Sequence, residues 1–267
     1  MLNNPMNTVP LAGKIAIITG GARGLGRDIA EAFHATGAQV VISGRDLQTL
    51  TATAKSIDPT GESVVPVACD NTDEQAVAAL AATTIERFGR IDVLVNNTGI
   101  PGPTTPLWEY SQAEWRETID TNLTGTFLCC RAVLPTMIEQ RSGSIVTVGS
   151  ATGKRPNAGR AAYAASKTGL IGLTRTLALE AGPYGVRVNL VSPGAVDSDR
   201  FRRVIETMAA TRGVTSEEFL REAVSGSALG RLVQAADVAG TIIFLAGDAA
   251  ASITGEDINV SAGLVMY

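Results

Sequence analysis

The chain has 267 residues, 45% of them hydrophobic, with 28 glycines and a net charge of −4. That length buries most of the unfolded surface without staples, and the acidic balance excludes the basic field a nucleic-acid partner needs. Cys69, Cys129 and Cys130 show no Cys-x-x-Cys spacing, which excludes a disulfide scaffold and fits a reducing compartment.

Residues 1–10 have neither a basic nor an apolar leader segment and are expected to be a flexible N-terminus ahead of one domain, 11–267. No apolar run approaches the ~18 residues of a membrane span, so a cytoplasmic chain without a membrane partner is expected. Short apolar runs then alternate with helical patterns. The pattern predicts strands over Lys14–Thr19, Gln39–Ser43, Val64–Ala68, Ile91–Val95, Ser144–Val148, Val186–Val191 and Asp257–Val260. Helices are predicted over Gly24–Thr36, Asp46–Ile57, Asp73–Phe88 and Ala161–Ala181, with one long helix from about Gln112 to Glu139. Strand and helix in unbroken alternation mean parallel pairing through right-handed crossovers. The expected fold is α/β, a doubly wound (Rossmann) seven-stranded parallel sheet with helices on both faces. In such sheets ligands sit beyond the carboxyl ends of the strands.

The first strand runs into Thr19-Gly20-Gly21-Ala22-Arg23-Gly24-Leu25-Gly26. Glycines there let the backbone approach a pyrophosphate, and the following helix supplies N–H groups and a partial positive charge. Gly20, Arg23, Gly24, Leu25 and Gly26 are therefore candidate cofactor residues. An NAD-binding unit usually ends its second strand with an acid on the ribose hydroxyl. Here Gly44 holds that position and Arg45 follows, which favours the 2′-phosphate of NADP(H). Asp46 is the competing ribose acid, but it opens a helical pattern and reads better as its N-cap. Asp70 and Asn71 follow the third strand, where adenine would be hydrogen-bonded; the other reading of Asp70 is a cap beside Thr72 and Asp73.

Tyr163-Ala164-Ala165-Ser166-Lys167 opens the helix of Ala, Leu and Thr. Residues four apart share a helical face, so phenol and ammonium project into one space. A free tyrosine titrates near ~10; a nearby ammonium stabilises the phenolate and brings proton exchange toward neutral pH.

With these motifs in order, the chain resembles the short-chain dehydrogenase/reductase family, of the compact single-domain type. The resemblance rests on the Thr19–Gly26 loop, Asn96-Asn97-Thr98-Gly99, Asn122, Ser150, Tyr163 with Lys167, and Pro193-Gly194. It implies an oxidoreductase moving a hydride between a nicotinamide and a carbonyl or secondary alcohol, such as a ketone or 3-oxoacyl compound. Tyr163 would be the acid/base, Lys167 its partner and a ribose ligand, Ser150 the holder of the carbonyl oxygen, and Asn122 the holder of a relay water. Asn97 and Gly99 would lie on the adenosine side, and Pro193, Gly194, Val196 and Ser198 along the nicotinamide. Thr98, Gly149 and Ser198 are mild departures from the commoner residues. The family also implies a homotetramer.

The substrate side is expected at Pro101–Tyr110, Ala151–Arg160 and a lid at 197–226. Trp108 and Tyr110 suit either an apolar wall or a subunit surface. Arg155, Arg160, Arg200, Arg202 and Arg203 suit either solvated positions or the steering of an anionic substrate. His34 reads as structural, and no cluster has metal-ligand spacing. The alternatives are an NAD-linked polyol or hydroxysteroid dehydrogenase, against which Gly44 and Arg45 speak, and a non-catalytic NADP-sensing protein. A sensor would not need Asn122, Ser150, Tyr163 and Lys167 together.

Overall fold

A computed structural model describes residues 11–267, with the backbone alone at 199, 200, 203, 204, 207, 208 and 211; the expected flexible segment 1–10 lies outside the described residues. The strands are β1 (Ile15–Thr19), β2 (Gln39–Gly44), β3 (Val64–Ala68), β4 (Val93–Asn96), β5 (Gly143–Val148), β6 (Val186–Pro193) and β7 (Asp257–Val260). The main helices are α1 (Gly24–Ala35), α2 (Leu47–Ile57), α3 (Glu74–Phe88), α4 (Gln112–Ile119), α5 (Gly125–Gln140), α6 (Ala161–Ala181), α7 (Asp199–Arg212), α8 (Ser216–Ser225) and α9 (Ala235–Ala246).

The seven strands form one sheet in the order β3-β2-β1-β4-β5-β6-β7, and every pairing is parallel. The chain winds from β1 out to β3, then returns to lay β4 on the other side of β1. That reversal opens a crevice at the carboxyl ends of β1 and β4. Pro66 is tolerated because β3 is an edge strand.

Successive strand residues face opposite layers, which the core follows. Ile18, Val40, Ile42, Val93 and Val146 pack with Ile29 and Phe33 of α1 and Ile242 and Leu245 of α9. Ile17, Val41, Leu94, Ile145 and Val188 pack with Leu80 of α3 and Val133 and Met137 of α5 on the other face. Cys69, Cys129 and Cys130 are buried free thiols within that second layer. Asp46 accepts from the backbone N–H groups of Gln48 and Thr49, so its helix-cap role is the one the fold uses. No helix among the described residues is long and apolar enough to cross a membrane.

The single helix expected from Gln112 to Glu139 is divided. A π turn, Asp120–Thr124, separates α4 from α5. The backbone stays in the right-handed region on either side of it, so the chain is not broken. One extra residue per turn changes the phase of the side chains, and Asn122 becomes fully buried. The second half of the chain adds an outwork: α7 and α8 pack on each other between β6 and α9.

Candidate active site

The loop after β1 is built for close backbone approach. Gly20 has φ +66° and Gly24 φ +53°, a region L side chains rarely adopt. A Cβ at Gly26 would collide with the Gly20 carbonyl oxygen and Asn97 Nδ2, so α1 begins tight against the ends of β1 and β4. Arg23 precedes α1 without a side-chain cap on its first N–H groups, which leaves donors facing the crevice. Thr19 Oγ1 braces the other wall, accepting from the backbone N–H of Asn97 at 3.0 Å and Thr98 at 3.1 Å. Asn97 Nδ2 returns a hydrogen bond of 3.0 Å to the Thr19 carbonyl. The exposed half of this cradle fits a dinucleotide phosphate, since nothing larger than glycine is accommodated at Gly26.

Beyond β2, Arg45 is exposed. Asp70 Oδ1 accepts from Thr72 N at 3.0 Å and Thr72 Oγ1 at 2.8 Å. The Thr72 amide, and more weakly the Arg45 charge, hold the Asp70 carboxyl below its usual range. Arg23 acts in the same minor way on Asp46, whose chief support is Thr49. Asn71 is buried and donates from Nδ2 to the Thr121 carbonyl at 2.9 Å, tying the end of β3 to the π turn.

Tyr163 and Lys167 lie on the first turns of α6. Lys167 Nζ is 5.7 Å from the Tyr163 ring centroid and donates to the Val148 carbonyl at 2.8 Å. Burial pushes the Lys167 ammonium below the usual lysine range, with Tyr163 opposing the shift. Asn122 joins this group through its π turn. Its Oδ1 accepts from Ile100 N at 2.8 Å, and its Nδ2 donates to the Ile100 carbonyl at 3.0 Å and to Ser166 Oγ at 3.1 Å. Ser166 Oγ donates in turn to the Tyr163 carbonyl at 2.8 Å. A Cβ on Gly99 would sit 3.3 Å from Asn122 Oδ1 and 3.6 Å from Lys167 Nζ, so all three converge. Ser150, two residues past Val148, accepts from Thr152 N at 3.1 Å. The contributions of Ser166 and the Val148 carbonyl were not legible in the sequence; the position of Ser166 three residues after Tyr163 was the available signal.

Pro193 ends β6 and is buried, and Gly194 N donates to the Val260 carbonyl at 2.9 Å. Val196 bridges to Val233, and Ser198 caps α7 through Phe201 N. These residues run out from the same sheet edge as Ser150. Among the residues expected on the substrate side, Tyr110 Oη shares its one proton between the carbonyls of Pro103 and Gly159, each at 3.1 Å, and so ties two loops together. Trp108 is 85% exposed and forms no wall within the chain. Arg202 pairs with Asp197, and Arg155 reaches the Leu264 carbonyl at 3.4 Å. Arg160 instead stacks its guanidinium on Tyr163, 4.6 Å from the ring centroid. The side chains of Arg200 and Arg203 lie outside the described residues.

Residues 14–209 match the family model for short chain dehydrogenase. Over 259 residues the chain is 39% identical to a 3-oxoacyl-(acyl-carrier-protein) reductase of Synechocystis sp., covering 96% of this chain and 99% of that one. Over 254 residues it is 35% identical to the Escherichia coli 3-oxoacyl-(acyl-carrier-protein) reductase, covering 95% and 98%. Among solved structures, the crystal structure of gox2181 superimposes with TM-score 0.87 at 32% identity, covering 97% and 98%. NAD+-bound xylitol dehydrogenase superimposes with TM-score 0.89 at 28% identity, covering 95% and 99%.

Proposed function

Since the chain belongs to the short-chain dehydrogenase/reductase family, oxidoreductases of CH–OH and C=O groups, we propose that it is an NADP(H)-dependent carbonyl reductase with Tyr163 as its acid/base. The observation that carries this reading is the buried Lys167 beside Tyr163, with Nζ fixed on the Val148 carbonyl.

In reduction, Tyr163 Oη donates a proton to the substrate oxygen; in oxidation it takes that proton back. Lys167, held on the Val148 carbonyl, keeps its ammonium on the same face of α6 as the phenol. Ser150 Oγ already accepts from Thr152 N, so its own O–H is left to donate to the substrate oxygen and orient it. Asn122 Oδ1 has a second lone pair on the Gly99 side, where Lys167 Nζ also approaches. A water bound there would touch both atoms and could take a proton from Lys167. Bound NADP(H) supplies or accepts the hydride.

The Gly20–Gly26 loop with Arg23, Gly24 and Leu25 holds the pyrophosphate, and Arg45 with Arg23 takes the 2′-phosphate. Asp46, committed to capping α2, is then not a ribose ligand, which favours NADP(H) over the NAD+ named for the xylitol dehydrogenase neighbour. Asp70 and Asn71 border the adenine, Asn97 and Gly99 the adenosine side, Lys167 the nicotinamide ribose, and Pro193, Gly194, Val196 and Ser198 the nicotinamide. Helices α7 and α8, within 197–226, form the substrate lid. The reductases among the relatives support a 3-oxoacyl-type or other ketone substrate. A cytoplasmic homotetramer is part of the same proposal and rests on the family resemblance alone.

Ketones, 3-oxoacyl thioesters and polyols assayed with both cofactors test the reading. Tyr163→Phe is expected to lower kcat at least a thousandfold while NADPH affinity changes by less than threefold. A variant that keeps full activity would sink the mechanism.

A further inference from the structure

We propose that Arg160 is an oxyanion anchor for the substrate, so that the enzyme takes carbonyl compounds bearing a free carboxylate within a few bonds of the reacting carbon. This rests on the reading of Tyr163 as the acid/base and names the substrate class it serves.

Arg160 is held in a fixed place by its backbone. It is the residue before α6, with its N–H on the Asn157 carbonyl at 3.3 Å and its own carbonyl taking Ala164 N at 2.8 Å. The preceding Gly159 carbonyl accepts from Tyr110 Oη and from Thr105 N. From this support the guanidinium lies over the ring of Tyr163, 4.6 Å from its centroid. A substrate oxygen meeting Tyr163 Oη therefore brings its neighbouring carbons within reach of Arg160.

The guanidinium is poorly satisfied. Its Nε is buried with no hydrogen-bond partner, and among the described residues no carboxylate lies within ion-pair distance of it. Stacking on the ring compensates the charge in part, but offers the N–H groups no lone pair in their plane. Arginine stays charged at every working pH and presents its donors as a fork that matches a carboxylate or phosphate. Arg155 and Arg202 in the neighbouring segments already have acceptors, Leu264 and Asp197. Arg160 alone of the three lacks one and also touches Tyr163.

A carboxylate fits better than a phosphate ester of a long carrier arm, because the anchor sits beside the acid/base itself. The substrate charge must then lie next to its carbonyl, as in a 3-oxo acid. A carrier-bound 3-oxoacyl thioester has no free carboxylate there, so this site would divide the chain from the reductases it resembles.

Malonate carries the carboxylates but no reducible carbonyl, and its binding to the NADPH-loaded protein can be followed by nicotinamide fluorescence. Wild type is expected to bind malonate at least tenfold more tightly than Arg160→Gln, with Arg160→Lys in between. Equal binding by wild type and Arg160→Gln overturns the proposal, and so does tighter binding of inorganic phosphate than of malonate by wild type. In turnover, Arg160→Gln is expected to lower the ratio of kcat/KM for 3-oxobutanoate over its methyl ester at least tenfold, through KM for the acid. An unchanged ratio overturns the proposal as well. Carbonyl reduction without Arg160-dependent malonate binding would leave the reductase reading standing alone; malonate binding without reduction of any carbonyl would leave only the anchor.

Discussion

Lys154 Nζ lies 3.0 Å from Asp257 Oδ2, joining the segment that follows β5 to the edge strand β7. The lysine also donates to the Asn259 Oδ1 at 2.7 Å, and Ser192 Oγ donates to Asp257 Oδ1 at 2.7 Å. Both charged side chains are almost wholly buried, at 10% and 4% exposure. Such a pair contributes little against an apolar replacement, but removing one partner strands the other charge. Lys154→Met is therefore expected to lower unfolding free energy by about 3 kcal/mol in urea. Adding Asp257→Asn should recover part of the loss, and a double variant as unstable as the single one would show that the stranded carboxylate is not the cause. Ser150 stands four residues before Lys154, so the same break should loosen its position.

Gly26→Ala tests the cradle. The added methyl would collide with the Gly20 carbonyl oxygen and Asn97 Nδ2, which lie one residue past β1 and β4. The loop has to move away from α1, and the N–H groups proposed to hold the phosphates move with it. NADPH affinity, measured by fluorescence titration, is expected to fall at least tenfold. Wild-type affinity in this variant would mean that the loop does not hold the phosphates.

These two features differ in how far the sequence disclosed them. The tight turn at Gly26 was legible because only glycine suits so close a strand-to-helix approach, and the strands were legible because parallel strands buried on both faces read as short apolar runs. Asp46 could be read as a cap from its place before a helical pattern. The π turn was not legible, since no residue type marks an extra residue in a helical turn that keeps its right-handed backbone. That turn is what buries Asn122. The Lys154–Asp257 pair and the stacking of Arg160 on Tyr163 depend on where loops meet distant strands, which spacing along the chain does not encode. For Arg160 the sequence supplied the residue and its segment, and the fold supplied the ring beneath it.

The proposed preference for NADP(H) rests on the end of β2. Gly44 removes the side chain that an acid would occupy, and the exposed Arg45 follows it. Arg45 already lowers the pKa of Asp70 in a minor way, so its charge reaches the end of β3. Arg45→Ala is expected to weaken NADPH binding at least tenfold and NADH binding by less than threefold, as paired fluorescence titrations would read. Equal losses for the two cofactors would place the 2′-phosphate elsewhere.

Lys167 makes stability depend on pH in a direction that can be worked out. Its folded value is lowered from 10.5, first by burial. Between the two values the unfolded chain therefore binds more protons than the folded one, and stability rises with pH there. Below the folded value the whole cost of a buried ammonium is present; as pH climbs toward 10.5 that cost disappears. Lys167→Met removes the titrating group, so its melting temperature relative to wild type should be higher at pH 7 than at pH 10, both without cofactor. Losing the hydrogen bond to the Val148 carbonyl adds an offset that does not vary with pH, so the slope and not the sign of the difference is the readout. A difference that stays constant across this range would mean that Lys167 binds its proton equally in both states, and that its burial does not prepare it to exchange one beside Tyr163.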